Sequence, residues 1–194
     1  MGGIKASQFL WKIMNIFQLS TCPIGSAHMM VDRHVVKMIL ESAQILSTAH
    51  RVLDGELYID DSTGRKMKRY RLPDSRESVL YKATHVNHPS SIWARETNNN
   101  YNWLYVHFWA LCEEYTYRYG KIHACHTSEM FSLLSAPPRG IEVGYLKPVT
   151  PAMPEEYVIS SDSVVNYRNY YAKGKKHLHT WTLREEPEWI RDYI

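Results

Sequence analysis

The stretch 32–46 places chemically useful side chains at helical spacing. Read as a helix, it starts a polar stripe whose members recur every three or four residues. The stripe consists of His34, Lys37, Glu41, Gln44 and Thr48. Its centre is a carboxylate with an amine one turn earlier. An ordinary solvated face with an i,i+4 ion pair has the same pattern, so the stripe alone leaves both interpretations open.

Imine formation is the chemistry that this stripe suits. The reaction needs an unprotonated amine, a nearby carboxylate that moves protons, and room for an extruded sugar and base. Lys37 and Glu41 supply the first two within one helix. An α-amino group can replace the lysine, because its reference pKa of about 8 leaves more free amine at neutral pH.

Other catalytic motifs are weak or missing. The closest histidine pairs, His85 with His88 and His123 with His126, do not follow the H-E-x-x-H pattern of zinc enzymes. The sequence has no Cys-x-x-Cys pair, Walker loop, GxGxxG motif or nucleophile elbow. We therefore predict neither a metal ion nor an organic cofactor.

Two long helices are predicted to position these groups. The first covers about 32–51 and is stopped at 54–55, and the second pattern covers 92–119 and ends at Gly120. Poor helix formers at 97–100 either break the second helix or face a polar group. The core-facing residues are predicted to be Val36, Ile39, Ala43 and Leu46 in the first helix, and Trp93, Trp103, Leu104, Phe108, Leu111 and Tyr115 in the second.

A β-hairpin is predicted at about 56–72, from two strand-like runs around a turn at 60–64. Its second strand is strongly basic. The strand residues assigned to DNA binding are Lys66, Lys68, Arg69 and Arg71. A basic ribbon can follow phosphates, and it equally suits an exposed edge that charge keeps unpaired.

The remaining chain completes one mainly α, compact helical domain, predicted over 14–194. Residues 121–157 are rich in proline and glycine, which predicts a long irregular segment, either wrapped in order over the surface or a flexible arm. A last helix is predicted from 162 or 163 to about 176. Residues 1–13 are predicted to be a dispensable extension, because Met14 opens a stretch that reads like a protein start.

The overall composition excludes several classes of protein. With 194 residues, 44% hydrophobic and 22% charged, the chain can bury a core and is not disordered. It has no run of about 18 apolar residues that would predict a membrane span. Three cysteines, an odd number, predict a reducing cytoplasm. A net charge of +3 permits nucleic-acid binding without requiring it.

The stretch from Asp32 and His34 to Glu41 resembles the first long helix of phage pyrimidine-dimer DNA glycosylases of the endonuclease V type. In that family an Asp-x-His opening is followed by the catalytic glutamate seven residues after the histidine, and the spacing here is the same. Segments 85–89, 112–120 and 167–175 resemble later parts of the family in the same order. Phage proteins that begin MNIF and share a D-[KR]-H-V-V-K-M-x-L-E-x-A-Q core are similar over most of 14–190.

The resemblance implies a DNA glycosylase and AP lyase. In the family, an α-amine exposed by methionine removal attacks the sugar C1′, a glutamate assists proton transfer, and β-elimination nicks the strand. Carried onto this chain, the nucleophile is Asn15 if translation starts at Met14, and the acid/base is Glu41. His34 then helps to hold the DNA backbone, and we add Lys37 as a substitute amine.

The implied partner is DNA, double-stranded and carrying damaged or modified pyrimidines, bound by a monomer in the cytoplasm, which is the host's if a phage encodes the chain. Besides the hairpin, the residues assigned to DNA contacts are Arg33, Gln44, His85, Asn87, His88, Arg168, Tyr170, Tyr171 and Lys175. The sequence departs from the family at Leu40 and Gln44, where the best-known members carry arginines.

Two other functions fit the sequence. One is a phage nucleotide- or DNA-modification enzyme that keeps the scaffold without imine chemistry and binds a nucleotide near Glu41 and residues 98–100. The other is a non-catalytic module that binds nucleic acid or a host protein through the basic hairpin and the helix at 167–176. Replacing Glu41 with glutamine separates them, because binding should survive in all cases and activity should disappear only in the enzymes.

Overall fold

Helices and one hairpin build the fold of the computed structural model, which describes residues 14–62 and 64–194. The helices are α1 (Pro23–His28), α2 (Asp32–Asp54), α3 (Arg76–Val79), α4 (Pro89–Ala94), α5 (Asn98–Tyr119), α6 (Ala124–Thr127), α7 (Glu129–Leu133) and α8 (Ser163–Gly174). The strands are β1 (Glu56–Asp60) and β2 (Met67–Arg71), paired antiparallel with Glu56 opposite Arg71. Short 3₁₀ segments lie at Glu155–Tyr157, Lys176–Leu178 and Glu188–Tyr193.

This architecture confirms the predicted mainly α domain with a small hairpin. The predicted extension, 1–13, lies outside the described residues. Within the described part of the chain, no helix is both long enough and apolar enough to cross a bilayer. The irregular region around 121–157 contains α6 and α7, and its later part packs into the core through Val149, Ala152 and Met153. It is therefore an ordered wrap.

The start of α2 is fixed by tertiary contacts. The carboxylate of Asp32 accepts hydrogen bonds from Arg118 of α5 and from the backbone nitrogen of Thr182, each at 2.9 Å. Arg118 is buried and also pairs with Glu114 at 2.7 Å. A carboxylate in the first turn additionally suits the helix dipole. The network joins α2 to α5 and to the C-terminal segment, so the polar stripe of α2 has a fixed direction.

The far end of α2 turns sharply into the hairpin at Gly55. A Cβ atom there would collide with the carbonyl oxygen of Arg51 and crowd that of Arg71, so the close approach requires glycine. The buried guanidinium of Arg51 donates to the carbonyl oxygens of Tyr70 at 3.0 Å and Tyr81 at 2.7 Å. These bonds attach the hairpin and the chain after it to α2.

Helix α5 packs against α1 and α2 and completes the core. Thr97 caps its start by accepting from the backbone nitrogen of Asn100 at 3.1 Å, and Gly120 ends it with a φ of +63°. The predicted interruption is confirmed, since α4 ends before 97 and α5 begins at 98. Of the six side chains predicted to be buried here, five are buried and Tyr115 is half-buried.

The amides at 98–100 hold the irregular segment. Asn98 Oδ1 accepts from the backbone nitrogen of Gly144 at 3.0 Å, and Asn99 Nδ2 donates to its carbonyl oxygen at 2.6 Å. Asn100 accepts from the backbone nitrogen of Lys147 at 2.8 Å. These side chains therefore bind the backbone of the irregular segment. A nucleotide-binding role would need their amide groups to be accessible.

The buried face of α2 differs from the prediction in one respect. Ile39, Ala43 and Leu46 are buried as predicted, whereas Val36 is 43% exposed. The reason is that the polar stripe is covered too: His34 and Glu41 are buried in the protein interior. Segment 14–19 packs over His34 and Glu41. The buried face of the helix therefore includes these two residues, and Val36 lies outside it. Of the stripe, His34, Glu41 and Thr48 are buried, Gln44 is half-buried and Lys37 is exposed, so most of it is not a solvated surface.

Candidate active site

Segment 14–19 brings the main chain to the carboxylate of α2. The backbone nitrogen of Asn15 donates to Oε2 of Glu41 at 3.2 Å. On the other oxygen, Oε1, the ammonium of Lys37 lies at 2.9 Å. The carboxylate thus stands between two nitrogens, one from the main chain and one from a side chain. Imine chemistry needs such an arrangement when one of the nitrogens is a free amine.

The side chain of Asn15 fixes the position of its own backbone nitrogen. Nδ2 donates to the carbonyl oxygen of Ala152 at 2.7 Å. Oδ1 accepts from the backbone nitrogens of Ile16 at 2.8 Å and Phe17 at 3.2 Å. Asparagine suits this place because its short side chain bonds readily to nearby backbone. Ala152 belongs to the irregular segment, which therefore helps to place the nitrogen beside Glu41.

Glu41 lies in a setting that favours proton transfer. Only 6% of its surface is exposed, and burial raises the pKa of its carboxyl group because the charged form loses hydration. Hydrogen bonds from Lys37 and Asn15, together with the charge of His85, oppose part of that rise in pKa. A carboxylate whose pKa is raised is a better acid/base near neutral pH than an ordinary one.

His34 is held as a neutral ring. Its Nδ1 lies 2.9 Å from the hydroxyl of Tyr171, which itself accepts from the backbone nitrogen of Val31. The hydroxyl proton is therefore free to be donated to Nδ1, which leaves the ring proton on Nε2. Burial, together with the charges of Lys175 and Lys37, lowers the pKa of His34 to about 3. His34 can accordingly donate one hydrogen bond without carrying charge.

An aromatic and cationic group adjoins His34. The ring of Phe17 stacks on the histidine with centroids 4.4 Å apart. The ammonium of Lys175 lies 4.8 Å from the ring centroid of Tyr170 and 5.9 Å from that of Phe17. With Lys37, it supplies positive charge around the site, which suits a phosphate backbone.

The backbone near Glu41 is strained at two places. Phe17 has a φ of +53° and His85 a φ of +49°, both in the left-handed region that side-chain-bearing residues rarely adopt. Such strain costs about 1–3 kcal/mol and tends to cluster at functional sites. Here it turns Phe17 onto His34 and places His85 where its charge acts on Glu41.

The other residues assigned to DNA contacts differ in how accessible they are to solvent. Arg33, His85 and Asn87 are exposed, and Gln44 and Arg168 are half-buried. Arg168 donates to the carbonyl oxygen of Leu19 at 2.9 Å. His88 is buried and caps α4, accepting from the backbone nitrogen of Ser90 at 3.2 Å. Tyr170 and Tyr171 are buried, and their observed contacts position Lys175 and His34 respectively.

The basic hairpin residues form a separate group. Lys66 and Lys68 are exposed. Arg69 pairs with Asp60 at 3.7 Å, and Arg71 lies over the ring of Tyr58 at 4.8 Å. The two arginines are therefore engaged within the hairpin, whereas Lys66, directly before β2, and Lys68, within β2, are exposed.

Sequence reasoning missed Phe17 as part of this site, because Phe17 carries no motif of its own. Among residues 14–62 and 64–194, no three His, Cys, Asp or Glu side chains are grouped as metal ligands.

Comparison with known proteins adds an independent observation. The sequence profile of the pyrimidine dimer DNA glycosylase family matches residues 14–127, more than half of the chain. The chain belongs to this family. The match begins at Met14 and contains Asn15, His34, Lys37 and Glu41, whereas α8 and Lys175, which follows α8, lie beyond it. Membership implies pyrimidine dimer DNA glycosylase activity, hence DNA repair with DNA as substrate. Searches of curated proteins and of solved structures gave no significant match.

Proposed function

We propose that this family member is a monomeric glycosylase and AP lyase that acts on damaged or modified pyrimidines in double-stranded DNA through an imine. The observation that carries the proposal is the 3.2 Å contact between the backbone nitrogen of Asn15 and the carboxylate of Glu41. In a chain that begins at Asn15, that nitrogen is an α-amine with a reference pKa of about 8. Residues 1–14 are then dispensable and must be absent from the active form.

The proposed reaction balances as follows. The Asn15 amine attacks C1′ and loses a proton, while the bond from C1′ to the pyrimidine breaks and its electron pair leaves with the base, which is protonated. The sugar ring then opens, O4′ takes a proton, and C1′ becomes an imine carbon. Loss of a C2′ proton expels the 3′ phosphate, and water hydrolyses the imine to release the amine. Glu41 is the proposed carrier of these protons, in keeping with its raised pKa.

DNA binding is proposed for the surroundings of this pair. Lys37 and Lys175 attract the phosphates, and His34 donates from Nε2 to the backbone. The exposed Lys66 and Lys68 extend the contact along the duplex. Lys37 is also the alternative amine in a longer chain, since it lies 2.9 Å from Glu41.

Borohydride trapping on a duplex with one abasic site tests this proposal, because borohydride reduces the imine to a permanent bond. Three proteins are compared: the full chain, a chain starting at Met14, and a chain starting at Asn15. The last is made by cutting a folded fusion protein directly before Asn15, so that the α-amine of Asn15 is exposed in every molecule. We expect an adduct with the Asn15-start protein, located on its first residue by mass spectrometry.

Other results would contradict the proposal in defined ways. An adduct on Lys37 would move the nucleophile to that side chain. DNA binding without an adduct in any of the three proteins would reject the imine mechanism and favour the non-catalytic module. The modification-enzyme alternative receives no support from residues 98–100, whose amides bind the backbone at 144–147.

A further inference from the structure

Met14 occupies a closed slot beside the proposed nucleophile. Its side chain is buried, with 2% of the residue surface exposed. The hydroxyl of Ser91, on α4, donates to the Met14 sulfur at 3.4 Å. Helix α4 packs against α2, which carries Glu41. The slot is therefore lined by the buried hydroxyl of α4, a helix that packs against the one bearing the carboxylate.

Met14 stands where the substrate sugar would be attached to Asn15. Its carbonyl carbon is bonded to the nitrogen that lies 3.2 Å from Glu41. In the imine mechanism C1′ of the sugar becomes bonded to that same nitrogen. An attacking amine held in this place would thus bring C1′ to where the Met14 carbonyl carbon stands, and the rest of the sugar into the space around Met14.

The hydroxyl of Ser91 is poorly matched to a methionine. Ser91 is 1% exposed, and a thioether sulfur is only a weak hydrogen-bond acceptor. Buried polar groups are normally satisfied by strong partners, so a buried hydroxyl whose acceptor is a thioether favours a more polar ligand in this slot.

We propose that the Met14 slot is the subsite for the deoxyribose of the damaged nucleotide, with Ser91 donating to a sugar oxygen. This inference rests on the proposed function, because it takes Asn15 as the attacking residue. Ser91 is then a substrate contact that no sequence motif indicates. Any residue attached to Asn15 both converts the amine to an amide and fills the sugar subsite.

Binding of a non-reactive abasic analogue tests the subsite without any chemistry. Fluorescence anisotropy compares a duplex containing tetrahydrofuran in place of one nucleoside with the undamaged duplex. The preference is the ratio of the affinities for the tetrahydrofuran and undamaged duplexes. We expect this ratio to be roughly tenfold higher for the Asn15-start protein than for the Met14-start protein, because one or two hydrogen bonds contribute about that much. Ser91→Ala in the Asn15-start protein should reduce that preference roughly 2- to 10-fold.

Matched variants keep the test decisive. Ser132→Ala, at an exposed serine, should leave the preference unchanged. Met14→Gly in the full chain removes the Met14 side chain without altering Ser91 but keeps the carbonyl carbon of residue 14, so its preference for the tetrahydrofuran duplex should stay below that of the Asn15-start protein. Each protein is checked for an intact unfolding transition. Equal preference in the Asn15-start and Met14-start proteins, or no effect of Ser91→Ala in a folded protein, would overturn the subsite.

The two proposals fail separately. A borohydride adduct together with a preference that does not depend on Ser91 overturns the sugar subsite and leaves the imine mechanism. A Ser91-dependent preference for tetrahydrofuran without any adduct supports the subsite as a sugar-binding slot and rejects the imine mechanism.

Discussion

At the scale of single residues, Glu41 illustrates how function opposes stability. Its carboxylate is held away from water, which raises its pKa and makes the charged form costly in the folded state. The folded protein therefore binds a proton on Glu41 more readily than the unfolded chain, and ionisation lowers stability as pH rises through the raised pKa. A proton acceptor in catalysis needs that ionised form.

Replacing Glu41 with glutamine should separate these effects. We expect Glu41→Gln in the Asn15-start protein to slow strand cleavage at an abasic site by roughly 10²- to 10⁴-fold, the usual contribution of general acid/base catalysis. DNA affinity should be retained. The midpoint of urea unfolding at neutral pH should not fall, because the neutral amide avoids the cost of a buried charge.

Single-turnover cleavage, DNA titration and urea unfolding measure the three quantities. Glu185→Gln, at an exposed glutamate, is the matched control and should change none of them. Undiminished cleavage by Glu41→Gln would remove Glu41 from the mechanism. A large loss of stability would show that the ion pair with Lys37 outweighs the cost of burial.

At the scale of elements, the basic side chains of the hairpin fall into two groups. Arg69 and Arg71 contact Asp60 and Tyr58 and so help to hold the two strands together. Lys66 and Lys68 project their charge into solvent. If β2 follows the DNA backbone, the lysines should dominate the salt dependence of binding, because each phosphate contact releases counterions.

The double variant Lys66→Gln/Lys68→Gln tests the hairpin as a DNA contact. We expect weaker binding to duplexes of any sequence, and a slope of log affinity against log salt that is less steep by about 2. Anisotropy titrations over a range of salt concentrations measure the slope. Arg191→Gln, an exposed cation in the last 3₁₀ segment, is the control. An unchanged slope would assign the lysines to keeping the strand edge unpaired.

At the scale of the whole molecule, three histidines are built into the interior as neutral rings. Burial lowers the pKa of His34 to about 3 and, together with the charge of Arg76, that of His50 to about 4. Burial also lowers the pKa of His107 to about 4. In the unfolded chain these groups take up protons below about pH 6.5, whereas in the folded protein they do not.

Stability should consequently fall on mild acidification. At pH 5 each of these histidines lowers the free energy of unfolding by up to about 2 kcal/mol relative to pH 7.5, because only the unfolded state gains the proton. Protonation of Glu41 acts in the opposite direction in the folded state. Urea unfolding at pH 7.5, 6 and 5 measures the trend, and the exposed Ser132→Ala variant, which removes no titratable group, should reproduce the wild-type curve. A flat profile over this range would contradict neutral burial of the three rings.

Much of the fold follows from local patterns in the sequence. Helical spacing predicted α2 and α5, and the turn at 60–64 predicted the hairpin. The poor helix formers at 97–100 predicted either a break or a polar partner, and the structure shows both. The resemblance carried by Asp32, His34 and Glu41 predicted the family that the profile match confirms. These features depend on residues within a few turns of one another, so sequence alone determines them.

Only the tertiary structure decided which face of α2 is covered. Segment 14–19 packs on the polar stripe, so Glu41 is buried and Val36 is exposed. The same packing places the Asn15 nitrogen on Glu41 and the Met14 sulfur beside Ser91. Periodicity shows that a helix has two faces, but the partner of each face comes from distant parts of the chain. Burial, and with it the pKa of Glu41, depends on those distant contacts.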